Sequence, residues 1–302
     1  MSTATKRTRK GRNSTAKAIE ILRAEAFAGI PWLVHAFSTR QGGVSTCYGG
    51  RSLNLGVTPH DTHANVGRNH AMFLQAAGAV NDEGSLWPLM QVRQIHSPVI
   101  HRIDAVLAYP PAGDGMITSV PEVLLAIKTA DCVPVLAADV KRRVVGAFHA
   151  GWRGTVARVV EKGVGKMRCE FGSKPRDLRA AIGPCVRKCC YAVGSEVRAE
   201  FDSQFSYATE LFDEIFDSNA IHIRYPLLFL NQRTPGYSNL GPEIHLDLVA
   251  ANRHQLEDAG VRNEHISVVD GCTACDTKRF FSHRADFGKT GRMMSVIGIR
   301  AE

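Results

Sequence analysis

Long apolar segments are missing from this sequence of 302 residues. A transmembrane helix needs about 20 consecutive apolar residues, and the first residues also lack the apolar stretch of a secretory signal. Low-complexity linkers and internal repeats are missing as well. With 44% hydrophobic and 22% charged residues, the composition is that of a globular chain. The sequence therefore predicts a cytoplasmic protein with no membrane contact.

Regular cysteine spacing, the mark of a disulfide framework, is also missing. A reducing compartment favours free thiols or metal ligands over disulfides. The eight cysteines are Cys47, Cys132, Cys169, Cys185, Cys189, Cys190, Cys272 and Cys275.

Positive charge is concentrated at the N-terminal end. Residues 1–29 contain seven basic and two acidic residues, which gives this segment +5 of the total net charge of +8. A basic arm can bind nucleic acid or acidic membrane, but no aromatic residue that could stack on bases precedes Phe27. We therefore predict a disordered, solvated tail over residues 1–29, with weak nucleic-acid binding as the alternative, followed by a catalytic domain over residues 30–302.

Strand and helix patterns alternate along the domain, but the strands often come in pairs. Residues 123–136 predict two buried strands joined by a polar turn that holds Cys132, and residues 144–149 predict another strand. A helix is expected from Thr155, with this residue as N-cap and Gly172 after its end. Further strands are expected at residues 178–182, 265–269 and 293–299, and helices at residues 195–205 and 247–259. The pattern favours an α/β fold with mixed sheets over a Rossmann fold.

The strongest local signal for chemistry is the pair of segments TADC (residues 129–132) and HAGWRG (residues 149–154). Cys132 and His149 are both suitable zinc ligands, and His96 is the best candidate for a third. Three protein ligands would leave one position for water or substrate. The residues alone leave two alternatives open: a buried structural cysteine with two hydrogen-bonded histidines, or a Cys–His nucleophilic pair.

The sequence resembles the YfiH family, also called the laccase-domain or multicopper polyphenol oxidase family. The matching motifs run in order from about residue 30 to the end: FSTRQGG (37–43), SLNLG (52–56), QIHS (94–97), TADCVPVLAAD (129–139), GAFHAGWRG (146–154), IGPC (182–185), YAVG (191–194) and FFSHRADFGKTGR (280–292). The resemblance implies a four-layer α/β/β/α fold in a single domain, with a metal held by His96, Cys132 and His149.

The resemblance also implies an activity on purine nucleosides. Members combine phosphorolysis of adenosine, inosine and methylthioadenosine with deamination of adenosine, so the expected partners are these nucleosides and phosphate. The cofactor is expected to be Zn²⁺, with Cu²⁺ as the alternative that the laccase label implies. The chain is expected to be a monomer or a small homo-oligomer.

Particular residues follow from these expectations. Asp131 is a candidate for proton transfer, together with the three ligands, or alternatively forms the turn beside them. Arg40, Arg153 and Arg284 are candidates for phosphate recognition, and Asn54 for a hydrogen bond to ribose or base. For each of these four, the alternative is a surface salt bridge or a loop hydrogen bond.

Two further functions and a second metal site stay open. A copper-dependent oxidase of polyphenols or cell-wall precursors would need copper and oxygen, and a metal-free Cys–His hydrolase would need only the thiol. Cys189, Cys190, Cys272 and Cys275 could form a four-thiolate zinc site, because CxxC is a common half-site, or could be packed free thiols.

Overall fold

A computed structural model describes residues 18–301 except residues 217, 220, 222–223, 226 and 229–241. The strands are β1 Ile21–Leu22, β2 Leu33–Ser38, β3 Gln41–Ser45, β4 Leu89–Gln91, β5 Ile100–Arg102, β6 Gly115–Thr118, β7 Leu124–Thr129, β8 Val133–Asp139, β9 Val144–Ala150, β10 Leu178–Ile182, β11 Ala192–Val193, β12 Phe212–Ile215, β13 Glu243–Leu246, β14 Ile266–Val268 and β15 Met293–Ile299. The helices are α1 His63–Ala77, α2 Trp152–Val156, α3 Val159–Phe171, α4 Ser195–Gln204 and α5 Leu248–Asp258. Over the described residues, none of these helices combines the length and apolar character that crossing a bilayer requires.

Two mixed sheets form the centre of the molecule. The first has the strand order β1-β2-β15-β7-β4 and the second has the order β14-β10-β8-β9-β6-β5. Most neighbours are antiparallel, whereas β4–β7, β5–β6 and β10–β14 are parallel. A small third sheet has the order β11-β13-β12. The predicted mixed-sheet α/β class is confirmed.

The two large sheets pack face to face, because alternate residues of each strand point to opposite sides. Leu125 and Ile127 of β7 share one apolar core with Leu136 of β8 and Ala147 of β9. The other faces are covered by helices: α3, α4 and α5 contribute to the core on the second sheet, and α1 to the core on the first. The resulting layers are helix, sheet, sheet, helix, as the resemblance implied.

The predicted helix start at Thr155 is wrong. Thr155 lies inside α2, is fully buried, and accepts a hydrogen bond from Asn252 Nδ2 of α5 at 3.1 Å. Its hydroxyl therefore serves helix packing rather than capping. Arg158, with a φ of 59°, separates α2 from α3, and Gly172 ends α3 in the left-handed conformation as expected.

Residues 1–17 of the predicted tail lie outside the described residues. From residue 18 onward the chain packs on the domain: β1 pairs with β2, and Phe27 is only 3% exposed. The apolar side chains of this segment gain from burial, so the folded part begins before residue 30.

His35 of β2 is a buried titratable group in this N-terminal region. Its Nε2 accepts a hydrogen bond from Ala24 N at 3.0 Å, and its ring lies edge-on to Phe27. Burial, reinforced by the positive charge of Arg23, lowers the pKa of His35 to about 4. The folded chain therefore keeps this imidazole neutral well below the pKa at which an exposed histidine becomes protonated.

We expect this histidine to make folding stability depend on pH. Between about pH 6.5 and pH 4 the unfolded chain binds a proton that the folded chain does not, so acidification should lower the free energy of unfolding. The loss between pH 7 and pH 5 should be about 2 kcal/mol larger in the wild type than in His35→Gln, whose amide oxygen can still accept from Ala24. Urea unfolding at both pH values measures this difference, with exposed His60→Gln as the control. Equal losses in wild type and His35→Gln would contradict the prediction.

Candidate metal centre

The hairpin formed by β8 and β9 brings two of the predicted ligands together. Pro134 pairs with His149 and Val133 with Ala150, so Cys132, one residue before β8, lies beside Gly151. A Cβ atom at position 151 would lie 2.7 Å from His96 Cδ2 and 3.1 Å from Cys132 Sγ. Glycine is therefore required there, because any side chain would displace the two ligands.

His96 reaches the same point from the loop that follows β4. The loop is held by the carboxylate of Asp114, which lies just before β6 and is fully buried. The backbone N–H groups of Ile95, His96 and Ser97 donate to this carboxylate at 3.1, 3.0 and 2.6 Å. Three successive donors fix the backbone at His96, whose φ of 58° lies in the left-handed region.

Asp114 also orients His149. Its Oδ1 lies 2.8 Å from His149 Nδ1, so Nδ1 donates to the carboxylate and Nε2 is left as the ring nitrogen that could bind a metal. Burial opposes ionisation of Asp114, but the hydrogen bonds from His149 and Ser97 lower the pKa of its carboxyl to about 2. The sequence analysis missed this residue. Its one signal was an acidic residue between Gly113 and Gly115 at the start of a buried strand.

The three predicted ligands converge. Their donor atoms lie within 4.8 Å of one another, and His96 Nε2 is 3.8 Å from Cys132 Sγ. Two imidazole nitrogens and one thiolate are a donor set that suits zinc, with one coordination position left for a fourth ligand. On this geometry the group could hold a metal ion.

The electrostatics of the site favour the thiolate form of Cys132. Burial opposes ionisation, but His149 and His96 lower the pKa of the thiol to about 6. Burial likewise disfavours the imidazolium of His149, but Cys132 and Asp114 raise its pKa to about 9. The thiolate is the form that binds a metal and also the form that acts as a nucleophile.

The three residues open into a cavity of about 570 Å³, a size that suits a small-molecule ligand. Four basic residues line it: Arg93, Lys128, Arg284 and Arg292. Burial, with the positive charge of Arg292, lowers the pKa of the Lys128 ammonium. Over the described residues, buried Arg284 Nη1 has no hydrogen-bond partner. A cavity lined in this way suits an anion.

Asp131 lines the same cavity but is engaged in holding the chain. Its carboxylate accepts hydrogen bonds from Thr273 Oγ1 at 2.6 Å, Ser282 Oγ at 2.7 Å and Arg284 N at 2.7 Å. The backbone at Asp131 has a φ of 93°, which creates the sharp turn before Cys132. This geometry favours the turn-forming alternative over proton transfer.

Three of the four predicted substrate-binding residues are absent from the cavity wall. Arg40 donates to the backbone carbonyls of Thr277 and Tyr48. Asn54 is fully buried and hydrogen-bonded to Gly56, Asp61 and Arg292. Arg153 is exposed, with its guanidinium 4.3 Å from the centre of the Trp152 ring. Only Arg284 lines the cavity as expected, and Arg93, Lys128 and Arg292 are additional cations that the sequence analysis missed.

Comparison with known proteins identifies the family of this chain. A family model described as multi-copper polyphenol oxidoreductase laccase matches residues 34–300. The chain belongs to this family. A relative in Deinococcus radiodurans, named a purine nucleoside phosphorylase, is 37% identical over 290 residues, which covers 94% of this chain and 95% of that protein. Another relative, from an unknown prokaryotic organism and named an adenosine deaminase, is 32% identical over 275 residues and covers 87% and 93%.

Two solved structures show the same fold. The YfiH protein of Bacillus licheniformis matches with a TM-score of 0.74 and 31% identity, over 89% of this chain and 93% of that one. The YlmD protein of Geobacillus stearothermophilus matches with a TM-score of 0.73 and 30% identity, over 95% and 97%. The resemblance read from the sequence motifs is therefore confirmed.

Replacing Asp114 by asparagine should weaken metal binding. An amide has only one oxygen to accept the hydrogen bonds of the loop N–H groups. Its NH₂ group would also donate to His149 Nδ1 and so favour the tautomer with the proton on Nε2, the nitrogen that would bind zinc. Affinity for zinc should therefore fall by about 10-fold to 100-fold. Competition with a chromophoric chelator measures this affinity, with exposed Asp104→Asn as the control. Unchanged affinity in a folded Asp114→Asn protein would contradict the role assigned to the carboxylate.

Proposed function

We propose that this chain is a cytoplasmic, zinc-dependent purine nucleoside enzyme. Its reactions would be phosphorolysis of adenosine, inosine and methylthioadenosine, and deamination of adenosine. One observation carries the proposal: a His₂Cys set opens directly into a cavity lined by cations, one of which has a buried donor with no partner among the described residues. The names of the two relatives support the same substrate class.

Phosphorolysis needs an anion beside the ribose. A phosphate oxygen bonds to C1′ while the bond from C1′ to the base nitrogen breaks, and the base leaves with the electron pair and takes up a proton. The guanidinium of Arg284 offers donors suited to phosphate. Lys128 offers a positive charge, and because burial disfavours the charged ammonium, a bound anion would stabilise it. These two residues are the proposed phosphate ligands.

A zinc ion held by His96, Cys132 and His149 would supply Lewis-acid activation of an oxygen on water or substrate. The protein's own contribution is positioning. Asp114 holds two of the ligands, and Asp131 holds the turn that carries the third. Tyr191, whose pKa is raised by burial and by the neighbouring Cys132, stays protonated and supplies an aromatic wall that suits a purine.

Two rival functions make different demands on the same residues. A His₂Cys set also suits copper, which would favour an oxidase of polyphenols or cell-wall precursors. The low pKa of Cys132 beside His149 would favour a metal-free hydrolase. Copper and oxygen dependence identifies the first. Inactivation by thiol alkylation but not by chelators identifies the second.

The Cys132→Ala variant tests the proposed function. We expect it to lose zinc at this site and to lose phosphorolysis and deamination together, because both reactions would use the same ion. Chromatography of inosine and adenosine, incubated with and without phosphate, measures both activities, and exposed Cys169→Ala is the control. If zinc-loaded wild type releases no base and forms no inosine from adenosine, the proposal fails.

The Lys128→Gln variant separates the two reactions. Only phosphorolysis needs the anion, so we expect KM for phosphate to rise at least about tenfold, the loss of one charge-assisted contact. Deamination of adenosine should stay within about twofold of wild type, since it uses water. Steady-state kinetics of both reactions measure this, with exposed Lys141→Gln as the control. An equal fall in both activities would show that Lys128 does not bind phosphate selectively.

A further inference from the structure

Four cysteines outside the cavity lie together at the surface. Cys189 and Cys190 belong to a short turn after β10, and Cys272 and Cys275 to a turn after β14. Their sulfur atoms all lie within 4.8 Å of one another. All four are free thiols in this structure.

The backbone holds these two turns together. Cys185 and Cys272 form a parallel bridge, in which Thr273 N donates to Cys185 O at 3.0 Å. Arg187 Nη2 donates to Val269 O at 2.9 Å and reinforces the same contact. The thiols are therefore brought together by a fixed backbone rather than by chance contact of mobile side chains.

The spacing of the sulfur atoms suits one tetrahedral metal ion. With metal–sulfur bonds of about 2.3 Å, four tetrahedral thiolates lie about 3.8 Å apart. Cys189 Sγ is 3.7 Å from Cys272 Sγ and 3.4 Å from Cys275 Sγ, and Cys190 Sγ is 3.0 Å from Cys275 Sγ. A disulfide would need about 2.05 Å, and a multi-iron cluster would need more room between the thiolates.

Backbone donors around Cys272 also favour a thiolate. Arg187 N donates to Cys272 Sγ at 3.4 Å. Amide donors directed at a thiolate stabilise its negative charge, as in metal-binding turns.

We propose that Cys189, Cys190, Cys272 and Cys275 bind a second zinc ion, which is structural and separate from the cavity. Four thiolates and no open position are the donor set of a structural zinc site. The ion joins two turns that support the cavity. Tyr191, which lines the cavity, follows Cys190 directly. Thr273 lies between Cys272 and Cys275 and donates a hydrogen bond to Asp131, which also lines the cavity. The second zinc thus holds the cavity wall and takes no part in the reaction.

Zinc content of the purified full chain tests the proposal. Elemental analysis should find two zinc ions per wild-type chain, one in Cys275→Ser and one in Cys132→Ser. Exposed Cys169→Ser, the control, should keep two. After cobalt substitution, the strong thiolate-to-cobalt absorption of a four-thiolate site should persist in Cys132→Ser and disappear in Cys275→Ser.

The Cys132→Ser variant leaves the cluster intact, so the test stands even if Cys275→Ser fails to fold. One zinc in the wild type that disappears in Cys132→Ser would overturn the proposal. So would iron in place of the second zinc, or an intact mass that shows a Cys190–Cys275 disulfide. Two zinc ions without nucleoside activity would uphold this site and refute the proposed function, whereas activity with a single zinc that Cys132→Ser removes would do the reverse.

Discussion

The buried carboxylate of Asp114 is the constraint on which the candidate site depends. It accepts hydrogen bonds from three backbone N–H groups of residues 95–97, from the Ser97 hydroxyl and from His149. A buried carboxylate with few hydrogen-bond donors would destabilise the fold. With this many donors the charge is stabilised, and the loop and the imidazole that donate to it are held in place. Asp114 therefore fixes two histidines relative to each other: His96, in the loop that follows β4 of the first sheet, and His149, in β9 of the second sheet.

Much of the fold could be predicted because its signals are local. The two strands on either side of Cys132, and the strand that ends at His149, are continuous apolar runs bounded by polar turns. Asp247 caps α5 through Ala250 N, as its position before an apolar helix pattern predicted. The same pattern placed Cys132 in the turn between two strands and His149 at the end of the next strand, and the β8–β9 hairpin brings both to one end.

The remainder of the site depends on contacts between distant parts of the chain. Asp114 has only a weak local signal and Lys128 has none, and the contacts that make them important form only when the two sheets pack together. Arg40 and Asn54 lie in recognisable motifs, but their side chains satisfy backbone groups of loops that would otherwise be buried without partners. A motif of this kind identifies a family without showing whether its polar residues bind a ligand or stabilise the backbone.

The place of β15 in the first sheet has a consequence for biosynthesis. This strand lies between β2 and β7, although it comes after both of them in the chain and is the last of the described strands. A ribosome therefore releases β2 and β7 before the strand that joins them exists, and the apolar face they share stays uncovered until residues 293–299 emerge. Premature termination even a few codons before this strand should yield an aggregating polypeptide, dependent on chaperones, rather than a shortened but folded chain.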